Sequence, residues 1–173
     1  MMEQETTILN QEQLLEPEPF VFYLRVDPYL AQWIAHENKG DPVMFPNNSV
    51  ENDVIELGLI EPPEGARRER PGVNKIAITL PFFKYKDASL FSYLPPKAKS
   101  ELTRCIKARF AVALWKDLYK FGYIGKKKQD LIWAWMESHG IEATETNFNT
   151  IVKIYARKRD VYRKKVQRKH KKP

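Results

Sequence analysis

The pattern of apolar and polar positions predicts two short β-strands in the N-terminal half of the chain. Residues 20–26 are a run of aromatic and branched apolar side chains, which is typical of a strand. In residues 76–80 isoleucine and leucine alternate with smaller side chains, as in a half-buried strand, and Pro81 ends this pattern. We expect the two strands to pair with each other.

The same half of the chain carries start signals for two helices. Asp27 followed by Pro28 is typical of a helix N-terminus, and Leu30, Trp33 and Ile34 then share one face. Ser49 is expected to cap a second, shorter helix. We therefore predict a small α+β domain over residues 20–94, preceded by a flexible acidic arm over residues 1–19.

Three further helices are predicted downstream, at about 97–121, 127–139 and 146–163. Each has a helically spaced apolar stripe, and Gly122 and Gly140 follow the first two. A helix, a short turn with glycine and a polar-faced helix follow one another in the order of a helix-turn-helix. The predicted fold class is thus α+β, with a C-terminal helix-turn-helix-like domain over residues 95–163 and a basic tail over residues 164–173.

Charge is strongly divided along the chain. Residues 1–66 hold two basic and thirteen acidic side chains, whereas residues 67–173 hold twenty-seven basic and nine acidic ones. Such segregation costs free energy through self-repulsion unless a polyanion or the acidic half neutralises the positive charge. We expect the acidic half to mediate dimerisation or contact with a protein partner, or to screen the basic half; a plain solvated surface is the alternative.

The outward face of the third C-terminal helix has the side chains expected of a DNA-reading surface. Asparagine can bond adenine edges in a major groove, and arginine or lysine can bond guanine or phosphate. The alternative is an ordinary solvated face, on which the last basic residues interact favourably with the negative end of the helix dipole. The candidate residues are Asn147, Asn149, Thr150, Lys153, Arg157, Lys158 and Lys164.

Two more groups are candidates for phosphate contacts. Lys126, Lys127 and Lys128 begin the middle helix, where cations oppose the helix dipole unless a phosphate also binds the backbone N–H groups. Solvated lysines on a loop are the alternative. In the tail, Arg163, Lys164 and Lys165 could follow phosphates or enter a minor groove.

Aromatic side chains are interleaved with the basic ones in this half of the chain. They could stack on the unpaired bases of a single strand, which would favour RNA as the ligand, although such residues are more often part of a core or its rim. These residues are Tyr119, Tyr123, Trp133, Tyr155 and Tyr162.

No arrangement of residues points to catalysis, a metal site or a cofactor. His36, His139 and His170 are far apart in sequence without metal-ligand spacing, and Cys105 has no obvious base. No apolar stretch reaches the roughly 20 residues of a membrane helix. We expect a non-enzymatic protein of the cytoplasm, associated with the nucleoid and without membrane contact.

Two stretches carry a resemblance to known sequences. KQDLIWAWMESHGI over residues 128–141 and TNFNTIVKIYARKR over residues 146–159 resemble bacterial proteins carried on phages and mobile elements. The resemblance extends upstream to residues 22–26, and residues 153–159 are also similar to the last helix of phage middle-operon activators. No activity is carried over from the resemblance.

Together these features predict a nucleic-acid-binding protein, with duplex DNA as the expected partner and transcription or mobile-element maintenance as the regulated process. Two alternatives remain open from the sequence. One is an RNA-binding protein. The other is a structural or adaptor protein of a phage or mobile element, whose acidic and basic halves would join head to tail.

Overall fold

The computed structural model describes residues 20–121 and 127–170. In these ranges the chain forms two strands and five helices, so the predicted α+β class is confirmed. The elements are β1 (Val21–Arg25), α1 (Pro28–Glu37), α2 (Val50–Gly58), β2 (Lys75–Thr79), α3 (Pro96–Phe121), α4 (Lys128–Ser138) and α5 (Glu145–His170).

The chain divides into two compact units. The first comprises the described residues 20–27 and 38–103, and the second comprises residues 28–37, 104–121 and 127–170. This division differs from the sequence expectation, which placed the helix after Pro28 in the N-terminal domain and began the helical domain at residue 95. Helix α1 belongs to the second unit because its apolar face packs on helices that follow much later in the chain.

The sheet of the first unit consists of β1 and β2 in antiparallel register, as predicted. Val21 is opposite Thr79 and Arg25 is opposite Lys75. On the far side of β2, the Val43 N–H donates to the Ala77 carbonyl at 2.8 Å. The alternating apolar side chains of both strands point to the same side and are buried, because successive residues of a strand face opposite surfaces.

The other edge of β1 is closed by two side chains rather than by a strand. The Tyr23 N–H donates to the Glu69 carboxylate at 3.1 Å, and the Lys99 ammonium donates to the Tyr23 carbonyl, also at 3.1 Å. Lys99 and Glu69 also form an ion pair with each other. This arrangement, which we call the edge clamp, satisfies backbone groups that an open strand edge would leave unpaired.

Side chains also close both ends of α2. The Ser49 hydroxyl accepts a hydrogen bond from the Asn52 N–H at 3.2 Å, so the predicted cap is confirmed. At the other end the Lys86 ammonium donates to the carbonyls of Glu56 and Leu59. These contacts satisfy groups that the helix termini leave without intrahelical partners.

In the second unit, the described residues are helical and pack around Phe110 of α3. The rings of Tyr29, Trp33 and Trp135 lie edge-on to the Phe110 ring, with centroid distances of 5.0, 5.2 and 5.5 Å. All four side chains are buried. The apolar stripes predicted for α1, α3 and α4 therefore face a common core, which holds α5 through Ile151 and Tyr155.

A tight turn joins α4 to α5. Gly140 has φ of +66°, and the Ile141 N–H donates to the Met136 carbonyl at 2.9 Å, as in a Schellman motif. A Cβ at Gly140 would lie 2.9 Å from the His36 ring, so a larger residue would be both strained and obstructed. The turn thus fixes where α5 begins.

Candidate nucleic-acid interface

The start of α5 is set by a threonine cap. The Thr144 hydroxyl accepts a hydrogen bond from the Asn147 N–H at 3.2 Å and so satisfies one backbone donor at this helix terminus. From this cap α5 continues to His170. The helix thus includes residues 164–170, which the sequence analysis assigned to a basic tail.

Asn147 does not lie on the outward face of α5, so the prediction that it approaches base edges is wrong. Its side chain is only 5% exposed, and its amide donates to the Glu142 carbonyl at 3.0 Å and to the Gln32 side-chain oxygen at 3.4 Å. Gln32 in turn accepts the Glu142 N–H at 3.0 Å. Asn147 therefore holds the turn against α1, and its amide is not available to a ligand.

The other candidates on α5 are accessible to different degrees. Asn149, Lys153, Arg157 and Lys164 are exposed, and helical spacing puts them on one face together with Arg168, which is also exposed. We call these five residues the α5 stripe. Thr150 borders the stripe but is half-buried, and its hydroxyl donates to the Thr146 carbonyl at 2.9 Å.

The cations of the stripe have no internal counter-charges. Within residues 20–121 and 127–170, neither Lys153, Arg157 nor Lys164 forms an ion pair with a carboxylate. Helical spacing puts one acidic residue of α5, Asp160, on the same face, and its carboxylate lies 3.8 Å from the Arg159 Nε. Lys165 is exposed and Lys158 half-buried on the adjacent side of the helix.

The lysines before α4 are described in part. Lys126 lies outside the described residues. Lys127 is exposed and occupies the N-cap position of α4 without a side-chain cap hydrogen bond. Lys128 is exposed and turns toward α5, where its ammonium lies 5.3 Å from the centroid of the Tyr155 ring. The structure thus brings one of the three lysines to the side of α5.

Beside Tyr155, Lys128 lies close enough to two arginines of α5 for their charges to affect it. Burial and the positive charges of Arg159 and Arg163 lower the pKa of Lys128 from its ordinary value. Burial raises the pKa of Tyr155 from its ordinary value. Arg163 was predicted as a contact residue and Arg159 was missed, although the spacing of Tyr155, Arg159 and Arg163 by four residues places them along one side of the helix. We call Lys128, Arg159 and Arg163 the cation triad.

Four aromatic rings lie beside the cation triad. The Trp115 ring is 5.4 Å from those of Tyr119 and Tyr162 and 5.5 Å from that of Tyr155, measured between centroids. The Tyr119 and Tyr162 hydroxyls are 3.2 Å apart and form a hydrogen bond. Both of these tyrosines are about 40% exposed. We call this group the aromatic cluster.

Two of the aromatic residues considered from the sequence are not in this cluster. Trp133 stacks face to face on Phe148, with centroids 4.2 Å apart and planes inclined by 2°. Its ring therefore packs inside the second unit. Tyr123 lies outside the described residues.

The chain from the second residue of α4 to the first turn of α5 contains acidic residues and no lysine or arginine. No lysine or arginine occurs from residue 129 to residue 152, a range that contains Asp130, Glu137, Glu142 and Glu145. All four carboxylates are exposed. From residue 153 to residue 170 there are nine basic residues and one acidic residue. The positive charge of α5 is thus concentrated on its later turns.

Charge also differs between the two units. Residues 20–27 and 38–103 contain ten basic and ten acidic side chains, while residues 28–37 and 104–173 contain nineteen basic and seven acidic ones. The first unit is therefore neutral in its described residues, and the acidic surface expected there from residues 1–66 is balanced by Arg67, Arg68 and later cations of the same unit. The predicted acidic arm lies outside the described residues.

Metal-ligating side chains are dispersed within the described part of the chain. No three His, Cys, Asp or Glu side chains within it are close enough together to hold a metal ion. His139 instead stacks on Trp135, with ring centroids 4.1 Å apart, at the end of α4. None of the helices in the described ranges has the length and apolar character needed to cross a bilayer.

Comparison with protein-family models, with curated proteins and with solved structures found no match to this chain.

Proposed function

We propose that this protein binds nucleic acid, with duplex DNA as its ligand, and that α5 is the element that contacts it. The observation that carries the proposal is the α5 stripe, a row of exposed side chains whose cations have no carboxylate partner in the described residues. Unpaired cations on one face repel each other, and phosphate groups relieve that repulsion.

The dimensions of α5 agree with this ligand. A helix with its side chains is about 10–12 Å in diameter, and the major groove of B-DNA is about 12 Å wide. In the helix-turn-helix arrangement that α4, the turn and α5 would form, α5 is the recognition helix. The order of these elements supports that assignment.

The charge distribution favours contact through the later turns of α5. Glu142 and Glu145 flank the start of the helix, where they would repel a phosphate backbone. We therefore place Asn149 and Lys153 at the border of the contact and Arg157 and Lys164 within it. This differs from a helix that meets the bases through its first turn.

Roles follow from side-chain chemistry. Asn149 can bond an adenine edge, and Lys153 and Arg157 can bond guanine or phosphate. Other cations of α5, together with one at the start of α4, hold phosphates without reading sequence. They are Lys127, Lys158, Lys164, Lys165 and Arg168.

A biological role as a regulator of transcription or of mobile-element maintenance would require only this binding, because such a regulator acts by occupying a site. We propose this role because a helix that occupies a duplex site is sufficient for it.

A salt titration tests the proposal. If about five phosphates are neutralised, the logarithm of the affinity for a duplex should fall against the logarithm of salt concentration with a slope near −4.5. Fluorescence anisotropy with a labelled DNA duplex measures this slope. Adding an unlabelled RNA duplex as competitor to the same sample identifies the preferred ligand. An affinity independent of salt, or tighter competition by RNA, would contradict the proposal.

A further inference from the structure

A second surface of α5 has features that a duplex does not use. Residues two positions apart in a helix point about 200° away from each other around its axis. Tyr155 follows Lys153 by two positions and Tyr162 precedes Lys164 by two, so both tyrosines lie on the side of α5 opposite the stripe. The aromatic cluster and the cation triad are together on this side. Aromatic rings bind nucleic acid by stacking on bases, and the bases of a duplex are already stacked in its interior.

The exposed rings are held in place before any ligand arrives. The hydrogen bond between the Tyr119 and Tyr162 hydroxyls joins α3 to α5, and the Trp115 ring lies within 5.4 Å of both rings. Each tyrosine still exposes about 40% of its surface. A base that stacked on one of them would therefore meet an ordered ring, with little loss of side-chain entropy.

The cation triad is placed to bind the phosphate that accompanies such a base. Lys128 comes from the start of α4, and Arg159 and Arg163 come from α5 on either side of Tyr162. The Lys128 ammonium lies 5.3 Å from the centroid of the Tyr155 ring, and Arg159 and Arg163 follow Tyr155 by one and two turns of α5, so an anion beside them would meet three positive charges. Asp160, next to Arg159, supplies one nearby carboxylate.

We propose that the aromatic cluster and the cation triad form a site for an unpaired nucleotide, with the base stacked on Tyr162 and its phosphate held by Lys128, Arg159 and Arg163. The inference deepens the proposed function and rests on it in one respect, namely that the second unit binds nucleic acid. Its ligand is a single-stranded segment next to a duplex, such as an overhang, a gap or a melted junction.

The test compares two ligands on the same protein. One is a blunt duplex of about two helical turns, and the other is that duplex with a single-stranded overhang of about ten thymidines, a length within the range of single-strand sites. We expect the overhang to tighten binding about tenfold, the effect of stacking one base on an aromatic ring. Equal affinities of the full-length chain for the two ligands would overturn the inference.

Two variants of the same residue identify the ring as the cause. Tyr162→Leu removes the ring and keeps an apolar side chain, and we expect the two ligands then to bind equally, with blunt-duplex affinity within about twofold of the original. Tyr162→Phe keeps the ring and loses the hydroxyl, so the preference for the overhang should remain. Loss of the preference in both variants, or its retention in both, would contradict stacking.

A measurement on the unaltered protein makes the result independent of how the variants fold. Overhangs containing 5-iododeoxyuridine should form photochemical cross-links to Tyr162 or Tyr119, identified by mass spectrometry of the digested complex. Cross-links confined to other residues would overturn the inference. If the overhang alone binds and the blunt duplex does not, the proposed duplex function fails while this site stands.

Discussion

Three lysines of the first unit are hydrogen-bonded within that unit, whereas the lysines and arginines of the α5 stripe are exposed to solvent. Lys99 pairs with Glu69, Lys86 donates to the last carbonyls of α2, and Lys75 donates to the Arg70 carbonyl at 3.1 Å. In the stripe, Lys153, Arg157 and Lys164 have no carboxylate partner among the described residues.

The difference shows two uses of the same side-chain chemistry. A cation that satisfies a backbone carbonyl or a half-buried carboxylate contributes to the stability of the fold. A cation that only repels its neighbours contributes nothing to stability and is useful where a partner supplies the anions. Stability and binding should therefore respond to different sets of substitutions in the two units.

The largest expected effect is on binding. Replacing Lys153, Arg157 and Lys164 together with Gln removes three phosphate contacts, so the slope of log affinity against log salt should become shallower by about 2.7 and duplex affinity at 0.1 M salt should fall roughly a hundredfold or more. Anisotropy titrations at several salt concentrations measure both values.

The matched control is a triple substitution in the neutral unit. Arg67, Arg68 and Lys84 are exposed in the first unit, and their replacement with Gln removes the same total charge. We expect its duplex affinity to stay within a fewfold of the original. Equal losses in the two triple variants would show that net charge, rather than the α5 stripe, determines binding.

The next effect is on stability and concerns the edge clamp. Lys99→Met leaves the Tyr23 carbonyl without its donor and the Glu69 carboxylate, which is 35% exposed, without its counter-ion. The free energy of unfolding should fall by about 2 kcal/mol, as for other hydrogen bonds to charged groups. Urea denaturation followed by circular dichroism measures the change, and duplex affinity should be unaltered.

Lys97 provides the control for this substitution, because it is exposed and lies two residues earlier in α3. Lys97→Met should change the free energy of unfolding by no more than about 0.5 kcal/mol. A similar loss in both variants would mean that the clamp contributes no more than an ordinary surface lysine.

The smallest effect separates two asparagines of α5. Asn147→Ala removes the buried amide that bonds Glu142 and Gln32, and should lower the free energy of unfolding by about 1–2 kcal/mol. Asn149→Ala should leave stability within about 0.5 kcal/mol and reduce discrimination between duplex sequences more than affinity. Denaturation and binding to a panel of duplexes measure the two quantities. Reduced discrimination in Asn147→Ala without a change in stability would reverse the assignment.

Local features of the fold were predictable from the sequence. Ser49 was identified as a cap because a serine before a helical pattern accepts a nearby N–H. β1 was predicted from a continuous run of aromatic and branched apolar residues, and β2 from its alternation. The apolar stripes of α3 and α4 followed from helical spacing. In each case the signal lies within a few residues of the feature.

Features that depend on distant contacts were not predictable in this way. Asn147 was placed outside the core because its partner Gln32 is 115 residues away in the chain. The same kind of contact assigns α1 to the second unit. Arg159 was missed because its significance depends on Lys128, which a different helix brings alongside it. The sequence shows how many basic residues the chain contains, but it does not show which of them are neighbours in the folded protein.

Because α5 remains helical to His170, its basic residues have fixed separations. At 1.5 Å per residue the 26-residue helix is about 39 Å long, close to the 34–36 Å pitch of B-DNA. A disordered basic segment adapts to any polyanion and loses entropy when it does so. This preformed rod avoids that loss, but it tolerates only ligands whose phosphates recur at matching intervals, so rearranging its lysines and arginines at constant net charge would alter which polymers it accepts.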